Sequence, residues 1–193
     1  MASPEPPRDD DEATWAPRIR AGDVRAFEAL FRAYHARLVT FVEGYLHSRE
    51  AAEEVVQDVF LKIWNGREGW EVRGSVRGYL YASARNTALN TARRRRLETR
   101  GLERLGAGPG GVVAPLPERG ALERLESEET AAQVRRAIDH LPERSRQVVR
   151  LRWEHGLRYA EIAEIMGISV KGVENQLSRA MKTLRASLSR LVS

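Results

Sequence analysis

At 193 residues, with a formal net charge of +5 and a pI near 9.9, the chain suits one or two small domains, each with a modest core. The basic balance lies in the range of nucleic-acid binders, although charge by itself does not single out that class. The absence of cysteine excludes disulfide frameworks and thiolate metal sites. The start, MASPEPPRDDDEATW, lacks the basic opening and apolar centre of a signal peptide. The longest charge-free run, Leu105 to Pro117, is thirteen residues broken by glycine and proline, against the ~20 apolar residues that a bilayer span requires. These features predict a soluble, cytoplasmic protein.

Residues 1–14 are rich in proline and carboxylates, which predicts a disordered tail. Asp23 is a good helix N-cap. The helix it opens carries Phe27, Leu30, Phe31, Tyr34, Leu38, Phe41, Val42 and Tyr45 on one face. Ser48 caps a second helix, where Ala52, Val55, Val56, Val59, Phe60, Ile63 and Trp64 recur at steps of three and four. Its other face carries Glu53, Glu54, Gln57, Asp58 and Leu61. Such a face is ordinarily just solvated, and the spacing allows an Asp58–Lys62 pair, but a leucine among carboxylates also suits a protein-binding surface.

A loop over 65–74 holds three glycines and Trp70. Ser75 opens a third helix that buries Val76, Leu80, Ala84 and Ala88 and runs into Arg93, Arg94, Arg95 and Arg96. Tyr79, Asn86, Asn90 and Arg93 share a face of it, at offsets of seven, four and three. Asparagine offers a donor and an acceptor to a base edge, and arginine neutralises phosphate. Trp64, Trp70, Tyr79 and Tyr81 stand near the basic run, and aromatics interleaved with cations suit melted DNA, whose unstacked bases find a π-face. The plainer readings are that Trp64 is core, that the asparagines are ordinary surface, and that the arginines are a solvated helix end favoured by the macrodipole.

Periodicity fails between Gly101 and Pro117, a Gly/Pro-rich stretch that reads as a linker. It resumes near Ser127 with Ala131, Val134, Ile138 and Leu141, and Pro142 suits the first turn of a helix bearing Val148, Val149 and Leu151. From Tyr159 to Met166, Ile162, Ala163 and Met166 mark another helix. Gly167 supplies its left-handed end and Ser169 caps the next. That last helix aligns Val173, Leu177, Ala180, Leu184, Leu188 and Leu191, leaving Lys171, Asn175, Ser178, Arg179 and Lys182 outward. The pattern is that of a helix-turn-helix whose second helix enters a major groove, with an ordinary αα-corner as the alternative. No alternating run argues a strand. The fold class is therefore all-α: two small helical domains joined by a flexible linker.

Catalytic patterns are missing. His35, His47, His140 and His155 form no metal-binding spacing, and the chain contains neither a Walker loop nor a nucleophile elbow. No metal, cofactor or enzymatic activity is expected. His47 and His155 read as surface residues near helix ends.

The strings EEVVQDVFLKIW, GYLYASARNTALNTARRRR and LPERSRQVVRLRWEHGLRYAEIAEIMGISVKGVENQLSRAMKTLR, in that order, resemble the extracytoplasmic-function sigma factors of the sigma-70 family, over about Asp23 to Leu191. The resemblance implies a region 2-like domain over 15–97, a linker over 98–126 and a region 4-like helix-turn-helix domain over 127–193. It implies that Glu54, Gln57, Asp58 and Leu61 dock on the clamp helices of the largest catalytic subunit of core RNA polymerase, with region 4 meeting the flap of the second. It assigns Trp70, Tyr79, Asn86, Asn90, Arg93 and Arg94 to the minus-ten element, with Trp70 in a loop that captures a flipped base. Glu174, Asn175, Ser178 and Arg179 fall on the minus-thirty-five reading stretch, with Arg146, Arg158 and Lys171 placed for phosphate. Promoter DNA and an anti-sigma factor are the further partners implied.

Two departures stand out. Members of this family often have Ser or Thr where this chain has Arg158, so that helix must rely on Glu161 and the preceding turn. Many carry Lys or Arg at Glu174, Asn175 and Gln176, so promoter preference does not transfer; a carboxylate there repels phosphate but accepts from a cytosine amino group. The rival readings are an autonomous helix-turn-helix regulator, which predicts a dimer on a palindrome, and a DNA-acting enzyme, which lacks a catalytic constellation.

Overall fold

The computed structural model describes residues 9–72, 74–103 and 132–189, with side chains placed for 14–72, 74–97 and 132–189. The described residues hold eight α-helices, one 3-10 turn and no strand. The chain divides between Pro109 and Gly110 into two compact units. Most of the expected linker, the helix start near Ser127, and Leu191 lie outside the described residues.

The first unit contains α1 (Asp9–Arg20), α2 (Val24–Leu46), α3 (Arg49–Asn65), a 3-10 turn (Arg67–Gly69) and α4 (Val76–Glu103). The stripes predicted for α2 and α3 are the buried ones: Leu30, Tyr34, Leu38 and Val42 meet Ala52, Val56, Val59 and Phe60 in the core. Local side chains set the boundaries. Asp23 accepts from the Arg25 and Ala26 amides, Ser48 from Ala51 and Ser75 from Gly78, each satisfying donors left free at a helix start. Phe27, Phe31, Tyr45 and Trp64, all on expected core faces, sit at the rim. Phe31 is exposed and stacks on His35 at 4.6 Å, while Trp64 is half-buried with the Arg67 guanidinium 4.7 Å from its ring centre.

The element missing from the sequence reading is α1, which begins at Asp9, inside the stretch expected to be disordered. It carries Pro17 in its interior, a position that forfeits one helical hydrogen bond and costs about 3 kcal/mol. Tertiary burial offsets that cost: Trp15, Ala16 and Ile19 are buried, and Trp15 packs edge-on against Tyr34 at 6.3 Å. Helix α1 packs on α2, α4 and the 3-10 turn.

The second unit contains α5 (described over 132–139), α6 (Glu143–Trp153), α7 (Tyr159–Met166) and α8 (Val170–Ser189). Helix α8 packs on both α6 and α7, burying Val173, Leu177, Ala180 and Leu184 against Val148, Leu151 and Ile162. Gly167 adopts φ 63° at the end of α7, a left-handed conformation that L side chains resist. The Ile168 amide then reaches back to the Ala163 carbonyl at 3.0 Å, and Ser169 accepts from Gly172 to open α8. His155, expected at the surface, is buried, because the chain turns inward between α6 and α7 with Leu157 fully enclosed.

The Asp23 cap carries a pH dependence. The Ala26 amide and then the Arg18 guanidinium hold its carboxyl below the ordinary 3.8. A depressed carboxylate contributes stability that is complete above its unfolded pKa and lost as pH falls through the folded one. The stability gap between wild type and Asp23→Asn, followed by urea unfolding, should therefore be widest near neutral pH and close below pH 3.8.

Candidate nucleic-acid and polymerase interfaces

Helix α4 turns one side into the core through Leu80, Tyr81, Ala84 and Ala88. At 100° per residue this places Tyr79, Asn86, Asn90 and Arg93 opposite. Asn86, Asn90 and Arg93 to Arg96 are exposed, Tyr79 is half-buried, and Arg93 Nη2 lies 3.4 Å from Asn90 Oδ1. Helix α4 continues to Glu103, so the four arginines lie within the helix and not at its end. The macrodipole, which acts within the last turn, therefore does not account for them. Four consecutive residues also sweep most of a helical circumference, so the run presents cations on every side. Tyr81 leaves the expected aromatic surface altogether: it is fully buried against Phe41 at 5.0 Å, and burial pushes its phenol well above the ordinary range.

Trp70 was expected among the minus-ten residues, in a loop that captures a flipped base; it is only 5% exposed, so its own ring offers no face for stacking. Its ring packs edge-on against Tyr79 at 5.7 Å, and its carbonyl accepts from Arg20 Nη1 at 3.3 Å. Trp70 is the pin that holds the loop between α3 and α4 to α1 and to the root of α4. Half-buried Tyr79 is the aromatic left at the surface there.

On α3, Glu53, Glu54, Gln57, Asp58 and Leu61 all face outward, and Leu61 is 48% exposed. The i,i+4 ion pair on this helix is Arg49–Glu53 at 3.1 Å, not the anticipated Asp58–Lys62. The lower part of the face thus remains a small apolar centre ringed by amide and carboxylate.

In the second unit, Lys171, Glu174, Asn175, Ser178, Arg179 and Lys182 are exposed along α8. Lys171 pairs with Glu174 at 2.9 Å, which offsets the carboxylate's repulsion toward a phosphate. Arg158 is exposed at the head of α7, and Glu161 accepts from its backbone amide at 2.7 Å. Glu161 therefore supplies the start that no Ser or Thr provides. Arg146, expected to reach phosphate, is half-buried with Nη1 on the Asp139 carbonyl at 2.7 Å. Together with Arg150–Asp139 at 2.7 Å, it ties α5 to α6. Ser145 Oγ donates to Gln176 Oε1 at 2.8 Å, a link between α6 and α8 that no local spacing announces.

Comparison with known proteins decides the family. Residues 30–98 match Sigma-70 region 2 and residues 131–184 match Sigma-70 region 4. The ECF RNA polymerase sigma-E factor of Escherichia coli is 32% identical over 174 residues, covering 86% of this chain and 88% of that protein. The chain belongs to the extracytoplasmic-function sigma factors. The RNA polymerase sigma-H factor of Pseudomonas aeruginosa is 29% identical over 91% of this sigma factor and 92% of its own length. Two solved structures share the fold. CnrH in complex with the cytosolic domain of CnrY has a TM-score of 0.64 at 22% identity, covering 94% of this chain and 99% of that one. RpoE in complex with the anti-sigma factor NepR from Bartonella quintana has 0.62 at 21%, covering 84% and 96%.

Sigma factors of this group direct RNA polymerase to promoters for transcription initiation, and they are transcription regulators. In this sigma factor the region 2 match takes in α3 and α4 as far as residue 98, and the region 4 match takes in α7 and α8 as far as residue 184. No helix among the described residues is long and apolar enough to cross a membrane. Four contacts were invisible to pattern reading: Arg20–Trp70, Arg67–Trp64, Arg146–Asp139 and Ser145–Gln176. Each joins a polar group to a partner in another element or turn, so no periodicity encodes it. Glu161→Ala removes the buried acceptor at the head of α7 and should cost the second unit about 1–2 kcal/mol, measured by thermal unfolding, with the first unit unaffected.

Proposed function

We propose that the two units act as separate readers of one promoter, seated together on core RNA polymerase. Residues 15–97 form the first reader, 98–126 the tether and 127–193 the second. Glu54, Gln57, Asp58 and Leu61 dock on the clamp helices of the largest catalytic subunit, burying the exposed leucine that α3 leaves uncovered. Asn86 and Asn90 read the minus-ten element, Tyr79 offers the aromatic edge, and Arg93 and Arg94 hold the adjoining phosphates. Trp70 acts indirectly, by fixing the loop from which Tyr79 projects. On α8, Glu174, Asn175, Ser178 and Arg179 read the minus-thirty-five element, with Lys171 and Arg158 on phosphates and Arg146 in a supporting place. The flap of the second large subunit contacts this unit.

The observation that carries the reading is the division of α4: one side is sealed into the core, and the other offers amide groups next to four exposed arginines. That pairing suits DNA being opened, where bases leave the stack and backbone charge stays close. Tethering adds affinity without new contacts, since binding at one element raises the effective concentration of the other reader. The site of action is the cytoplasm, where core polymerase resides. An anti-sigma protein is the further partner of this reading, supported by the similar RpoE of Bartonella quintana, whose structure is a complex with the anti-sigma factor NepR.

Run-off transcription with purified core enzyme on fragments of the native genome tests this directly. The full chain should yield discrete promoter-specific products, and products no different from core alone would defeat the reading. Replacing Gln57, Asp58 and Leu61 together by alanine should abolish capture by core polymerase while leaving unfolding within about 0.5 kcal/mol of wild type, as for exposed positions generally. Exchanging Arg93 to Arg96 for glutamine should lower the salt slope of promoter binding by roughly 3 to 3.6 if all four meet phosphate, read from affinity against salt concentration.

A further inference from the structure

Between the first turn of α6 and α8, Ser145 Oγ donates to Gln176 Oε1 at 2.8 Å. Ser145 is only 4% exposed, so its hydroxyl proton is shielded from water and needs an acceptor within the protein. Gln176 supplies its carbonyl. The amide of Gln176 is therefore oriented with its oxygen toward α6, and Gln176 lines an open groove together with Glu143, Arg144, Ser145, Arg179 and Thr183. A free glutamine is both donor and acceptor. A glutamine whose oxygen is turned inward presents chiefly its donor outward, although the oxygen keeps a second lone pair.

We propose that Ser145 is a positioning residue for upstream promoter recognition, acting through Gln176. By holding the carbonyl inward it presents Nε2 to acceptor atoms of the DNA, which are guanine N7 or O6, thymine O4, or a phosphate oxygen. It also withholds the donor–acceptor pair with which a free glutamine would grip adenine. Gln176 is half-buried and stands one residue from Asn175 and three from Arg179, at the flank of the exposed face of α8. This flank borders the groove-facing residues. The inference rests on α8 being the reading helix, as proposed above.

The test uses holoenzyme assembled from core polymerase and the full chain. It selects from a duplex pool randomised over the upstream element, and affinity is then measured on the sequence that wild type prefers. Ser145→Ala should weaken binding by roughly two- to tenfold, the range of one neutral hydrogen bond. Ser145→Thr, which keeps the hydroxyl, should bind as wild type. In a Gln176→Ala background, Ser145→Ala should have no further effect, since the positioning residue then has nothing to orient. Two arms separate the sources of the acceptor. A base contact makes Ser145→Ala broaden the selected profile at one position, admitting adenine. A phosphate contact leaves the profile unchanged and is erased by methylphosphonate substitution at one backbone position.

Equal binding by wild type and Ser145→Ala overturns the proposal, as does an undiminished loss on the Gln176→Ala background. Should the added methyl of Ser145→Thr fail to fit, the alanine cycle decides alone. Asn175→Ala and Arg179→Ala serve as controls on the underlying reading. If they weaken binding and Ser145→Ala does not, only the positioning role fails; if they too are silent, α8 is not the reader.

Discussion

Where α2 meets α4, the rings of Phe41 and Tyr81 lie 5.0 Å apart at 65°, an edge-on arrangement favoured by the aromatic quadrupole. Tyr81 is fully enclosed, and burial pushes its phenol well above the ordinary range. Much in the first unit follows from that seat. With Tyr81, Ala84 and Ala88 turned inward, helix geometry leaves Asn86, Asn90 and Arg93 no side but the outer one. The same rotation sets Tyr79 at the surface beside the Trp70 pin. A helix that rolled about its axis would hide the amides and expose apolar surface, so the core contact and the orientation of the candidate reader are a single constraint.

The second unit solves the same problem with less material. Helix α8 has one apolar stripe, against α6 and α7, and an exposed face that includes Lys171, Glu174, Asn175, Ser178, Arg179 and Lys182. Its placement depends on two small devices. Gly167 accepts a left-handed backbone at the turn, and Glu161 replaces the missing hydroxyl cap of α7. Arg146 and Arg150 then brace the described part of α5 against α6 through Asp139. Arg146, which the family resemblance places near phosphate, is half-buried and engaged by the Asp139 carbonyl.

Apart from Arg158 at a helix cap, the groups proposed to meet polymerase and DNA lie mostly on regular helices in both units. A helix face holds its side chains in fixed relation, which suits the recognition of a rigid duplex and of a helical partner surface. The loop between α3 and α4 is the exception, and it is secured from three directions: Arg67 reaches back to the Trp64 carbonyl, Arg20 holds the Trp70 carbonyl, and Tyr79 packs on the Trp70 ring.

What could be read in the chain without coordinates was whatever depends on neighbours three or four residues away. The caps at Asp23, Ser48, Ser75 and Ser169, the turn at Gly167, the buried stripes of α2, α3 and α8, and the outward faces with Gln57, Asn86, Asn90, Asn175 and Arg179 are of this kind. Their signals are periodic or local, and backbone geometry converts them directly into position. Tertiary packing alone decided the rest. Helix α1 forms despite Pro17 because Trp15 and Ile19 find a pocket made by other helices. Trp70 turns inward because Tyr79 and Arg20 await it, Phe31 stays outside, and His155 is drawn under a turn. Ser145 meets Gln176 across thirty-one residues of chain. In each case the deciding partner is distant in sequence, so the burial free energy that settles the outcome exists only once the helices have assembled.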